Sequence, residues 1–127
     1  MKYYKSEVAA TPSTEEIPVT VGETYVLGEA IVLTDGKATK ASGTAAPLYI
    51  SAATMTGEEG KMLLCVRVLP DQTWEALLTA DGAALAVGDK VTISADGIGV
   101  TATTGGAAEI VQIVDAASGG KVRVRFA

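Results

Sequence analysis

Apolar and polar residues alternate most regularly between Val87 and Thr103. Val91 and Ile93 fall on one side of an extended segment, with Lys90, Thr92 and Ser94 on the other. Asp96-Gly97 follows, a dipeptide suited to positive φ, and Ile98, Val100 and Ala102 resume the alternation against Thr101 and Thr103. The pattern predicts a β-hairpin with one face for a core, a connection over Ala95-Asp96-Gly97, and Gly97 in the left-handed position. A weaker copy lies about sixty residues earlier, from Gly28 to Gly43. Gly28-Glu29 stands where Gly88-Asp89 stands later, Ile31-Val32-Leu33 is the apolar run, and Asp35-Gly36 is the turn. After each hairpin come a small-residue loop and a further apolar strand, Leu48-Tyr49-Ile50 in one copy and Ile110 to Val114 in the other. The chain therefore reads as a degenerate internal repeat over 28-51 and 88-114. Reuse of Gly-acid turns by an all-β chain is the plainer account, and two copies are too few for a solenoid.

Elsewhere the same reading gives short strands between turn signals. Residues 1-18 read as a flexible N-terminal arm: Thr11, Pro12, Ser13, Thr14 and Pro18 break any period, and Glu15-Glu16 keep the segment solvated. Tyr3 and Tyr4 are its odd feature, and adjacent tyrosines on a polar tail suit docking on another chain or folding back on their own domain. Val19 to Val21 and Thr24 to Leu27 are short strand candidates, and Ser51 to Gly60 is a loop carrying Glu58-Glu59. Lys61 to Leu69 is the strongest apolar run, and its β-branched content and stop at Pro70-Asp71 predict a central strand. Gln72 to Ala80 suits a strand or a short helix. It holds the sole tryptophan, Trp74, expected in the core or at a subunit interface. Ile110 to Val114 and Lys121 to Phe126 form a closing hairpin. With turn signals every eight to twelve residues, residues 19-127 are one β domain, mainly β, a small barrel or sandwich of short antiparallel strands with at most one short helix.

Composition narrows the chemistry. A chain of 127 residues supports a modest core, and a formal charge of −5 disfavours nucleic acid as a partner. The local exception is Lys121, Arg123 and Arg125, which alternate with Val122 and Val124 on the polar face of a last strand, where they suit solvent or an interface. Cys65 lies between Leu64 and Val66, has no second cysteine to pair with, and is expected to be buried as a small hydrophobe. The sequence has no histidine, so the commonest general base and metal ligand is missing. Asp71, Asp81, Asp89, Asp96 and Asp115 are isolated in separate turns without calcium-loop spacing, and turn chemistry accounts for them. Glu58 and Glu59 are adjacent, so on a strand they would point to opposite faces. Lys37 follows a tight turn but lacks the flanking pattern of a carrier-domain lysine. No phosphate-binding glycine loop is present, and Gly97-Ile98-Gly99 lies in a hairpin. The expectation is a non-enzyme with no catalytic residues, no cofactor and no metal. No stretch reaches transmembrane length, and residues 1-18 lack the apolar core of a secretory signal, which predicts synthesis in the cytoplasm and no membrane partner.

The pattern Gly28 to Ala38, followed after a middle stretch by Leu85 to Ile93, resembles the small capsid cement, or head decoration, proteins of tailed bacteriophages and prophages. In that family a Gly-acid entry precedes a glycine turn and an Ala/Thr-rich strand, and a final strand pair closes a β-rich, β-tulip-like domain behind an extended N-terminal arm. The resemblance spans roughly Val19 to Phe126. It implies a virion protein, made in the host bacterial cytoplasm, that binds the outside of the expanded head, often as a homotrimer, and ties major capsid protein subunits together. On that reading Tyr3 and Tyr4 are capsid-binding candidates, and Trp74, Arg123 and Arg125 are subunit-interface candidates. The competing class is a surface carbohydrate- or ligand-binding β domain. It would need an aromatic concave patch, for which Tyr25, Tyr49 and Trp74 are the residues at hand.

Overall fold

The computed structural model describes residues 1-6 and 12-126. Among them every regular element is a strand: β1 (Lys2–Ser6), β2 (Thr14–Pro18), β3 (Thr24–Tyr25), β4 (Ala30–Thr34), β5 (Lys37–Lys40), β6 (Tyr49–Ser51), β7 (Met55–Thr56), β8 (Met62–Arg67), β9 (Gln72–Leu77), β10 (Lys90–Ile93), β11 (Val100–Thr104), β12 (Ala108–Ile113) and β13 (Lys121–Phe126). The fold is all-β, as the alternation predicts, and Gln72 to Leu77 is a strand and not a helix. Two larger sheets, with strand orders β2-β8-β6-β4-β5 and β1-β9-β13-β12-β10-β11, pack together beside the short β3-β7 ladder. Each large sheet curls back on itself through one parallel bridge, Val19 to Ala38 joining the ends of the first and Leu78 to Val100 joining β9 to β11 in the second, with β1 outside that ring. Val19 makes only this bridge, so the strand expected over Val19 to Val21 is replaced by β2, which ends one residue earlier.

Side-chain alternation sorts the apolar residues into two cores. Ile17, Tyr25, Ile31, Tyr49, Leu63 and Cys65 fill the first sheet. Trp74, Val91, Ile93, Val100, Ile110, Val122, Val124 and Phe126 fill the second. Strands β4 and β6 belong to both. Ile31 and Tyr49 face the first core, while their neighbours Ala30 and Ile50 join the second. A period-2 strand with apolar residues on both faces is the signature of such a shared layer. At the seam the Ala30 N–H donates to the Gly97 carbonyl at 2.8 Å, and Gly43 and Ile93 exchange two backbone bonds of 2.9 Å.

The two hairpins differ in their turns. β4 and β5 are joined by Asp35 (φ 52°) and Gly36 (φ 76°) alone, a tight turn in which both central residues take positive φ. The second connection runs from Ser94 to Gly99, longer than the three residues expected, because Ser94 stitches it internally. The Ser94 hydroxyl accepts from the Gly99 N–H at 3.0 Å and donates to Asp96 Oδ1. Ile98 therefore lies in the loop, 36% exposed, and β11 starts at Val100. Gly97 does take positive φ (75°), and a Cβ there would meet the Lys40 and Glu29 side chains at about 3 Å.

The segment expected to be an arm supplies two strands. β1 pairs antiparallel with β9, and β2 with β8. Burial explains both placements: Ile17 enters the first core, and Tyr3 covers Trp74 edge-on, ring centroids 5.6 Å apart. Residues 7-11, the middle of the expected arm, lie outside the described residues.

Candidate functional site

An apolar cleft of about 660 Å³ lies where β1 and β9 face β6 and β8. Ile50, Val66, Trp74, Ala76 and Leu77 supply much of its wall, with Leu27 and Ile98 from the loops of the two halves. Strand alternation explains why β8 contributes. Leu63 and Cys65 point into the first core, leaving Met62, Leu64 and Val66 on the opposite face. Met62 and Leu64 stay 44% and 42% exposed there, and Leu77 and Leu27 are 55% and 63% exposed. The polar groups around the cleft are Lys2, Lys121, Ser51 and Glu75. Among buried side-chain donors and acceptors of the described residues, only Glu29 Oε1 and the Trp74 indole Nε1 lack a partner.

The five residues expected at contacts fall into two groups. Trp74 is 1% exposed. Of the two positions weighed for it, the structure shows the core, which corrects the subunit-interface assignment, because its ring is covered by Tyr3 of its own chain. Tyr3 is half-buried by that contact, whereas Tyr4 is 43% exposed, with the Arg123 guanidinium 3.9 Å over its ring. Arg123 also donates from Nε and Nη2 to Glu75 Oε1 at 3.2 and 3.1 Å, and from Nη1 to Gln112 at 2.6 Å. Arg125 Nε reaches the Thr73 hydroxyl at 3.4 Å. Tyr4, Arg123 and Arg125 thus share one polar hollow on the outer face of the second sheet, with Lys5, Thr73 and Gln112.

The other candidates take structural roles. Asp81, Asp89 and Asp115 each accept a nearby backbone N–H, from Ala83, Ala86 and Ala117, at 2.9 to 3.0 Å. Asp96 accepts from the Ser94 hydroxyl and the Ile98 N–H, which hold its carboxyl below the usual range. Asp71 accepts from the Ser6 hydroxyl, tying β1 to the start of β9. Glu58 forms an ion pair with Lys61 at 3.1 Å. Burial raises the Glu29 carboxyl above its usual value, against the Val26 N–H bonded to Oε2 at 3.1 Å. Burial likewise pushes the Cys65 thiol up to about 12.

Sequence reasoning missed the cleft. The signal was present in Lys61 to Leu69, where apolar residues occupy both faces of the strand, so that its second face needed a cover of its own. The cover on that face is incomplete, and the cleft lies there. No protein-family model matches the chain, and no curated protein matches it.

Proposed function

We propose that this chain is a non-catalytic capsid decoration protein of a tailed phage or prophage, binding the outer surface of the expanded head as a homotrimer. The observation that carries the proposal is the set of exposed apolar side chains, Met62 and Leu64 on one face of β8 with Leu77 and Leu27 at the cleft. Apolar side chains grouped on a strand face gain by burial against another protein surface. The resemblance of Gly28 to Ala38 and Leu85 to Ile93 to head decoration proteins supplies the kind of surface. A symmetric shell multiplies modest contacts, and binding that is selective for the expanded state stabilises it by mass action. Tyr4, exposed beside Arg123 and Arg125, is the aromatic anchor retained for the contact.

The test mixes purified protein with expanded heads of the phage or prophage that encodes it, prepared without it. Saturable co-sedimentation and a higher head rupture temperature are expected. Leu64→Glu should weaken binding about tenfold or more while leaving thermal unfolding of the free protein nearly unchanged, because the side chain is exposed. Absence of co-sedimentation with the wild-type protein defeats the reading.

A ligand-binding β domain is the second reading, and the apolar cleft favours it. Its carbohydrate form has little support from the aromatic residues. Tyr25, Tyr49 and Trp74 are 0%, 6% and 1% exposed, so none offers a ring face to a sugar at the surface.

A further inference from the structure

We propose that the cleft between β1–β9 and β6–β8 is a binding site for a monomeric long-chain carboxylate. This goes beyond the decoration reading and does not depend on it. Size and lining come first. A hollow of about 660 Å³ walled by Ile50, Val66, Trp74, Ala76 and Leu77 has the volume and apolar character of a small-molecule site, and not of a packing fault between two sheets. Apolar walls of this kind take up a hydrocarbon chain.

Charge selects the head group. Lys2 and Lys121 border the cleft, and Glu75 is the one acidic residue of the lining. The Glu75 carboxylate is already held by Arg123 at 3.1 Å and lies 3.8 Å from Lys121. Glu75 therefore leaves a net positive border on a chain whose overall charge is −5. An anion is drawn to that border and a cation is not.

Trp74 is the sole tryptophan, so its emission reports on the cleft without labelling. Dodecanoate is the probe, held below its micelle concentration, with equilibrium dialysis of radiolabelled dodecanoate as the direct measure. One molecule is expected to bind per chain, with a saturable change in Trp74 emission. Affinity should rise about tenfold for each two methylenes from octanoate to dodecanoate. Dodecyltrimethylammonium should bind at least about tenfold more weakly, and Lys2→Glu with Lys121→Glu should weaken dodecanoate about fivefold to tenfold. Ala52→Phe, a half-buried position on the lining and outside any strand, should fill the cleft and abolish uptake with the unfolding temperature retained. If that variant fails to fold, the head-group and chain-length comparisons on wild-type protein decide. No dialysis binding, equal affinity for the cationic amphiphile, or binding only to micelles or to phosphatidylglycerol vesicles overturns the proposal.

Discussion

Cys65 shows how a single side chain reports its surroundings. It is fully buried beside Leu63 and Tyr49 in the first core, where a thiolate has no water and no cation to stabilise it. The folded protein should therefore resist Ellman's reagent at pH 8 and react with one equivalent only after denaturation. An unfolded chain loses this proton near 9.0 and the folded one near 12, so the folded state holds more protons between those values. The Cys65 contribution to stability is intact below pH 9 and is lost as pH rises towards 12, a decline that Cys65→Ala should lack. Glu29 follows the same sign at lower pH. Its carboxyl is raised above the usual 4.5, chiefly by burial, so the charged form costs stability once pH climbs past that value. Glu29→Gln should be more stable than the wild type at pH 7, and the gap should close as pH falls towards 4; urea titrations at several pH values measure it. The apolar identity of Cys65 was legible from its neighbours Leu64 and Val66. The burial of Glu29 was not, because it is produced by the Asp96-Gly97 loop arriving from about sixty-eight residues away.

Among elements, the hairpins were the most legible because their determinants are local. Asp35-Gly36 turns the chain with no help from elsewhere, and Val91 and Ile93 alternate as strand residues on a core face. Asp35→Val places a β-branched residue at φ 52° and should cost about 1 to 3 kcal/mol in thermal or urea unfolding. Gly106 is constrained by space and not by φ. A Cβ there would lie 2.1 Å from the Val91 carbonyl oxygen, so Gly106→Ala must displace β10 and should cost more than 2 kcal/mol. Strands β1 and β2 were not legible, because neither KYYKS nor TEEIP alternates apolar with polar residues. These segments are held by partners distant in sequence: β8 receives Ile17, and Trp74 of β9 receives Tyr3. The cleft was hidden for a related reason, since its walls come from two sheets and no single segment contains it.

At the scale of the whole molecule, the two halves are wired alike. If the five strands of each large sheet are counted along the chain, with β1 left aside, both sheets have the order 1-5-4-2-3, and both close between the ends of the first and third strands. That shared order is what the proposed duplication would leave. The halves are not independent, because Ala30, Ala41 and Ile50 of the first complete the core of the second. Ile50→Ala should therefore unfold both halves in one transition at a lower temperature, by about 2 to 4 kcal/mol, as followed by Trp74 emission and far-ultraviolet dichroism together.

The chain opens on the second sheet, leaves to build the first, and returns only at Gln72. During translation Lys2–Ser6 thus emerges with its partner strand still unmade, and some seventy more residues must be synthesised before Tyr3 finds Trp74. Over that interval the nascent Lys2–Ser6 segment is a strand in search of an edge. On a crowded polysome the edges within reach include those of its sister chains.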